Sequence, residues 1–222
     1  MIEKQVVSKY RVANHGEVYT RKREVNAMLD LVKQETERIE SRFLEPACGT
    51  GNFLTAILER KLRVVEQRYK RSQLEFERYA VLAVSSIYGI DVLRDNVEAC
   101  RKRLFDIFDK IYNSLYKKRA KTDCRNTVIY ILGRNIIWGD ALTLRTVGDN
   151  RRPIVFSEWA LVNGSMLKRR DFTMSMLIQS YLPDQRDLFP QRDLFSELDE
   201  EAFIPTPEKE YPLIHFLKIG NE

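Results

Sequence analysis

The chain has 222 residues, of which 44% are hydrophobic and 31% are charged, so it can bury one sizeable core with elaborations or a small appendage. No stretch approaches the ~20 apolar residues that cross a bilayer, and the N-terminus lacks the apolar segment of a signal peptide, so we expect a cytoplasmic location without membrane contact. Three scattered cysteines and two distant histidines, with no CxxC pair, argue against a zinc site or a disulfide framework.

Charge is unevenly distributed along the chain. The net charge of residues 183–222 is −6. Because the whole chain has a net charge of +5, residues 1–182 have a net charge of +11. A basic body suits a polyanionic partner such as nucleic acid, and a solvated surface with helix charge pairs explains it equally well. We therefore expect a folded domain at 1–182 and an acidic, Pro-containing tail or linker with a terminal strand at 183–222. The tail repeats QRDLF at 185–189 and 191–195, which we interpret as a loop.

Helix-like and strand-like patterns alternate before this tail. Apolar spacing predicts helices at 22–38, at 52–63 and at 95–117. The charged stretch at 59–78 either prolongs the second of these helices or forms another. Short apolar runs predict strands at 42–45, 86–91, 135–140 and 153–162. Such alternation is typical of an α/β fold with a mainly parallel sheet and helices on both faces.

Three acidic residues, Glu45, Asp91 and Asp140, close successive predicted strands. Because ligands of parallel α/β sheets bind beyond the carboxyl ends of the strands, these side chains are expected along one binding edge. The glycine-containing loop from Pro46 to Gly51 allows close backbone approach of a ligand. Each feature alone is equally well explained as an ordinary turn or helix cap. Together they suit a ligand with amino-acid, ribose and adenine parts, as in S-adenosylmethionine.

The segment from Glu45 to Phe53, with the Gly-Ile-Asp-Val run ending at Val92 and the Gly-Asp-Ala-Leu run beginning at Gly139, resembles the motifs of DNA methyltransferases. The likeness is to the adenine-N6 group whose cofactor motifs precede the catalytic one. A further match, from His15 to Thr20, resembles the motif that closes over the methionine part of the cofactor. The resemblance implies a Rossmann-like S-adenosylmethionine-dependent fold. It implies these cofactor-binding residues: Thr20, Glu45, Pro46, Ala47, Cys48, Gly49, Gly51, Asn52, Phe53, Asp91, Val92, Asp140 and Ala141.

The catalytic motif of that family, (D/N/S)-P-P-(Y/F/W), is missing, because no Pro-Pro pair occurs in the sequence. In its place stand Ser157, Glu158 and Trp159, which could accept a hydrogen bond and stack on a flipped base. The plainer interpretation is that Phe156 and Trp159 are strand residues that pack in a core.

Three functions remain open at this point. The first is a DNA adenine-N6 methyltransferase of a restriction-modification or phage-defence system, with a partner chain that supplies the catalytic motif and target recognition. The second is a cofactor-holding subunit without activity. The third is a methyltransferase of RNA or protein, since one fold hosts many functions.

Overall fold

The computed structural model describes residues 9–15, 20–179 and 205–221. The QRDLF duplication and most of the motif from His15 to Thr20 lie outside these residues. The helices are α1 (Lys9–His15), α2 (Lys22–Asp30), α3 (Lys33–Glu37), α4 (Asn52–Tyr69), α5 (Gln73–Ser85), α6 (Arg94–Tyr116), α7 (Thr122–Asn135) and α8 (Met174–Gln179). The strands are β1 (Phe43–Glu45), β2 (Ile87–Asp91), β3 (Ile136–Asp140), β4 (Arg145–Thr146), β5 (Val155–Val162), β6 (Met166–Thr173), β7 (Lys209–Glu210) and β8 (Ile214–His215).

A first sheet has the strand order β1-β2-β3-β4. β1 pairs parallel with β2, and β2 pairs parallel with β3, whereas the short β4 is antiparallel. The three parallel strands end at Glu45, Asp91 and Asp140, as the sequence predicted. The fold is therefore a mixed α/β fold with these acidic residues along one edge.

Two helices, rather than one, connect each pair of parallel strands. α4 and α5 link β1 to β2, and α6 and α7 link β2 to β3. All four bury apolar side chains in one core with Ile87, on one face of the sheet. Successive strands are added in one direction, so right-handed crossovers place their helices on the same face. The sequence predicts helices on both faces; the four long helices share this face, and the short α8 packs on the other.

The second face of the sheet is covered by a smaller cluster. Tyr88 and Ile90 pack there against Ile154, Phe156 and Met174, with partly buried residues of α8 beside them. The predicted fourth strand exists as β5, but it lies outside the first sheet, because it pairs antiparallel with β6. β7 and β8 also pair with β6.

The C-terminal described segment docks against α7. Thr127 donates a hydrogen bond to the carbonyl of Phe216 at 2.7 Å, and the buried Phe216 and Ile219 join the main core. The predicted terminal strand is therefore two short strands followed by a 3-10 turn (Phe216–Asn221). No helix in the described ranges has both the length and the apolar character needed to cross a membrane.

A buried lysine fixes the start of β1. The Lys61 ammonium on α4 donates to the carbonyls of Ile39 and Ser41 and, at 2.6 Å, to the Ser86 hydroxyl. Burial lowers the pKa of Lys61 to about 7. These bonds join the segment before β1 to the residue before β2. They therefore help to position β1 beside β2.

Candidate cofactor site

The loop between β1 and α4 is tied to the neighbouring strand by its backbone. The Cys48 N–H donates to the carbonyl of Ile90 at 2.9 Å, and the Gly51 N–H donates back to Cys48 at 2.8 Å. Gly49 and Gly51 have φ values of 52° and 86°, in the left-handed region that glycine adopts without strain. The glycines therefore allow the tight turn from strand into helix.

Gly51 also faces a helix at very short range. A Cβ atom added at Gly51 would lie 2.6 Å from the Cys100 sulfur on α6. A hydrogen bond with Cys100, together with burial, raises the pKa of the Cys48 thiol far above its ordinary value. Cys48 is therefore an inert packing residue of the loop, and Gly51 is required by α6 as well as by its own φ. The sequence alone shows no sign of this contact.

Asp91 holds the loop at the end of β2. One carboxylate oxygen accepts the Gly49 N–H at 2.8 Å, while the other accepts the Leu93 N–H at 2.8 Å and the Asn96 amide at 3.2 Å. Two carboxylate oxygens offer about four acceptor positions, so one remains for a ligand hydroxyl. Asp91 is therefore both a clamp on the loop and a potential acceptor.

The first strand end presents a partly buried carboxyl group. Burial raises the pKa of Glu45, and a hydrogen bond from the Ala47 backbone opposes that rise. Pro46 and Ala47 are exposed beside it, whereas Phe53 is half-buried against the main core. The open side of the loop therefore consists of Glu45, Pro46 and Ala47.

The third strand end forms a turn around Asp140. Its carboxylate accepts the Leu142 N–H at 2.9 Å and the Thr143 hydroxyl at 3.0 Å, and these bonds lower its pKa. Ala141 packs beside the second-face cluster. An ionised carboxylate at this position is an acceptor that an exocyclic amino group requires.

A tryptophan that sequence reasoning missed connects the second and third strand ends. The Trp138 indole N–H donates to the Val92 carbonyl at 3.0 Å, and the Arg94 guanidinium lies 5.7 Å from the ring centroid. The Val92 side chain remains 42% exposed, which leaves an apolar surface beside Asp91. An aromatic residue two positions before Asp140 was the available signal.

The loop is also braced from its other side by Asn52 and Arg103. Asn52 donates to the Thr20 carbonyl at 3.0 Å and accepts from Arg103 at 2.9 Å. Arg103 further donates to the Thr50 carbonyl at 2.6 Å. The structure thus brings Thr20 to the loop, and it adds Arg103, which the sequence analysis did not include.

The weak catalytic candidates lie elsewhere. Ser157 donates to Asp171 at 2.7 Å, Glu158 pairs with Arg42 and Arg170, and Trp159, 4% exposed, donates to Asn135 at 3.1 Å. Arg42 precedes β1 and Asn135 precedes β3, so these contacts are at the amino ends of the strands. The structure does not bring Ser157, Glu158 or Trp159 to the cofactor loop.

A family model described as MmeI, DNA-methyltransferase domain, matches residues 19–146. The chain belongs to the MmeI DNA-methyltransferase domain family. The match includes every candidate cofactor residue from Thr20 to Ala141 and ends before β5. No curated protein and no solved structure matched the chain.

Membership of the MmeI family makes this chain part of a restriction-modification DNA methyltransferase family, with a methyltransferase fold and DNA as the implied substrate. In the described part of this MmeI-family domain, no group of three or more His, Cys, Asp or Glu side chains is arranged to hold a metal ion.

Proposed function

We propose that this chain binds S-adenosylmethionine at the carboxyl edge of β1, β2 and β3 and serves a DNA adenine-N6 methyltransferase of a restriction-modification or phage-defence system. The observation that carries the proposal is the convergence of the glycine loop, Asp91 and Asp140 on adjacent parallel strands. In such a sheet, this edge is where a nucleotide-like ligand binds. Adenine N6 as the methyl acceptor rests on the motif resemblance.

The parts of the ligand fit the chemistry of the edge. Pro46 and Ala47 are exposed where the amino-acid end would lie, and Glu45 is adjacent to receive its ammonium group. Asp91 keeps one acceptor position for a ribose hydroxyl, and the exposed Val92 offers an apolar surface for the adenine ring. Asp140 would accept from the adenine amino group.

We further propose that the catalytic motif comes from a partner chain. Two observations support this arrangement. Ser157, Glu158 and Trp159 are engaged in contacts at the other end of the strands. β1 has β2 on one side and, among the described residues, no strand on the other.

The open edge of β1 is also apolar. Leu44 is 47% exposed, although Tyr88, its register partner on the same face of β2, is buried. Doubly wound sheets continue past their first strand into a second half, and an unpaired edge is a template for another strand. A partner strand beside β1 would place its carboxyl end next to the glycine loop.

Cofactor binding by the isolated chain is the direct test, and we expect heat in calorimetric titration with S-adenosylmethionine together with a thermal shift. Asp91→Ala removes both the ribose acceptor and the bond to Gly49, so we expect binding to weaken by about 1–3 kcal/mol. Asp106→Ala, which removes an exposed i,i+4 partner of Lys102, is the matched control and should bind normally. Absence of both heat and thermal shift in the unaltered chain would contradict cofactor binding.

Complementation tests the split arrangement. With labelled cofactor and mixed-sequence DNA, we expect no incorporation by the chain alone and incorporation once an adjacent gene product bearing Asn-Pro-Pro-Tyr is added. Leu44→Lys should abolish this complementation and keep cofactor binding, because it places a charge on β1 where the partner strand pairs and leaves the glycine loop unchanged.

Each other outcome excludes one part of the proposal. Incorporation without a partner excludes the split arrangement. Label on a base position other than adenine N6 excludes that specificity. Cofactor binding with no incorporation under either condition favours a subunit without activity. The contacts that engage Ser157 and Trp159 elsewhere support this alternative.

A further inference from the structure

Two helix–helix turns lie side by side at the far end of the helical layer. The Tyr116 hydroxyl donates to the Lys70 carbonyl at 3.2 Å, and the Gln73 amide donates to the Arg119 carbonyl at 2.8 Å. These bonds join the turn between α4 and α5 to the turn between α6 and α7. We name residues 68–72 and 117–121 the distal tip.

The distal tip projects beyond the amino ends of the strands. α6 starts just after β2 and runs for 23 residues, or about 34 Å at 1.5 Å per residue. α7 then returns over 14 residues, about 21 Å, before β3 begins. The tip therefore lies about one α6 length from the cofactor edge and about 20 Å beyond the start of the sheet.

The distal tip is strongly and uniformly basic. It contains no Asp or Glu, and all of its cationic residues are exposed. They are Arg68, Lys70, Arg71, Lys117, Lys118, Arg119 and Lys121.

Among the described residues, most of these cations have no acidic partner, although Arg68 hydrogen-bonds to Tyr69. Lys121 pairs with the buried Glu77 at 2.8 Å, and Arg119 lies 5.8 Å from the centroid of the Tyr116 ring. Within the described ranges, no ion pair engages Arg68, Lys70, Arg71 or Lys118. By contrast, several exposed cations of the other helices have an acidic partner one turn away, as Lys102 has in Asp106.

Buried aromatic residues hold the two turns rigidly. Phe76, Tyr112 and Tyr116 stack or pack edge-on, with ring centroids 5.4–6.1 Å apart. The Tyr112 hydroxyl donates to Glu77 at 2.6 Å and accepts the Lys121 backbone N–H at 2.8 Å. Exposed cations on such a preorganised support lose little backbone freedom when they meet an anion.

We propose that the distal tip is a second DNA contact, which binds the backbone phosphates of a duplex without reading its bases. The inference builds on the proposed function, since the DNA that reaches the cofactor edge is the polyanion at hand. Unpaired Lys and Arg side chains neutralise phosphates, whereas sequence is read at base edges. The length of α6 corresponds to about one turn of B-form DNA, roughly 34–36 Å.

The test compares two variants of the full chain, each with four substitutions. In the tip variant, Arg68, Lys70, Arg71 and Lys118 become Gln, which spares Arg119 and Lys121 with their structural contacts. In the matched control, four exposed cations outside the tip become Gln: Lys33, Arg63, Lys102 and Lys110. Binding to a 40-base-pair mixed-sequence duplex is measured by fluorescence anisotropy between 50 and 200 mM salt, values chosen to span a counterion-release slope.

We expect the tip variant to bind the duplex at least tenfold more weakly at 50 mM salt, with a log–log salt slope shallower by about 2–4, since each lost phosphate contact removes about 0.9. The control should keep more than half of the original affinity. Equal losses in the two variants, no loss in either, or an unaltered chain that does not bind the duplex would each overturn the proposal. Stronger tip-dependent binding to duplex RNA of the same length would overturn it as well. Calorimetry with S-adenosylmethionine on the same samples judges the proposed function separately.

Discussion

Gly51→Ala is expected to lower the free energy of unfolding by about 2–4 kcal/mol and to weaken S-adenosylmethionine binding at least tenfold. Two causes add at this position. Alanine at a φ of 86° is strained, and its Cβ would lie 2.6 Å from the sulfur of the buried Cys100. The loop must therefore shift away from α6. This shift disturbs the hydrogen bond from the Gly49 N–H to Asp91. Urea denaturation and calorimetry with the cofactor give the two readouts.

A matched glycine and a rescue variant make this result specific. Gly133 lies in α7 with no atom within 4 Å of an added Cβ, so Gly133→Ala should stabilise the chain by up to about 1 kcal/mol. Adding Cys100→Ala to Gly51→Ala removes the colliding sulfur. The double variant should regain the unfolding free energy and cofactor affinity that the collision costs, and should keep the loss caused by the strained φ. If the double variant binds no better than Gly51→Ala, contact with α6 is not the cause.

The second large effect is expected in the buried ion pair of β6. Arg169 donates to both oxygens of Asp171, at 2.9 and 2.7 Å, and the side chains are only 4% and 9% exposed. Burial opposes ionisation of Asp171, but the hydrogen bonds from Arg169 and Ser157 lower its pKa overall. Asp171→Ala leaves a guanidinium buried without a counter-charge. We expect a loss of about 3–5 kcal/mol in the free energy of unfolding.

The control for this pair lies in the same sheet. Lys168 and Glu210 form an exposed pair at 3.0 Å, so Glu210→Ala should cost less than about 1 kcal/mol. Because the folded pKa of Asp171 is depressed, its contribution is present above its unfolded pKa and is lost as pH falls through the folded one. The difference in unfolding free energy between unaltered and Asp171→Ala chains should therefore shrink in acid. A constant difference down to pH 2 would contradict the role of the carboxylate.

Cofactor affinity separates the two large effects. Asp171 and Ser157 lie in the sheet formed by β5 to β8, whereas Gly51 lies in the loop after β1, so Asp171→Ala should leave S-adenosylmethionine binding of the folded fraction unchanged. A parallel loss of cofactor affinity in Asp171→Ala would place the β5–β6 network in the site.

The strand ends were predictable because their signals are local. Pro46 and the loop glycines mark where β1 stops, and Asp91 and Asp140 each accept a backbone N–H two residues ahead, which is ordinary turn chemistry. The long crossover was also predictable in outline, since the charged stretch after residue 59 is helical.

Other features depend on contacts that are distant in sequence. The run from Thr127 to Ile131 is rich in β-branched residues, yet it is part of α7, because it packs between α5 and the C-terminal segment. β5 was predicted as a strand, but alternation does not reveal which sheet a strand joins. The predicted helix 22–38 is interrupted at Leu31 and Val32, which no strong breaker residue announced.

The residues of the site divide in the same way into those with a local signal and those without one. Glu45, Asp91 and Asp140 could be selected from motif and position, while Arg103 and Cys100 became apparent only through bonds or packing across the fold. The separation of Ser157, Glu158 and Trp159 from the loop is likewise a matter of topology, since their order along the chain matches the order of the family's motifs.

The two-helix crossovers let the helical layer change in length independently of the sheet. In the part of the chain that the structure describes, the turns at residues 70–72 and 117–121 are attached to the sheet through α4, α5, α6 and α7. One additional helical turn in each of these four helices would move the turns outward by about 5.4 Å and leave the ends of β1, β2 and β3 in place. The lengths of these helices thus set the distance between the distal tip and the cofactor edge, and this distance can change without any alteration of the edge that carries the glycine loop.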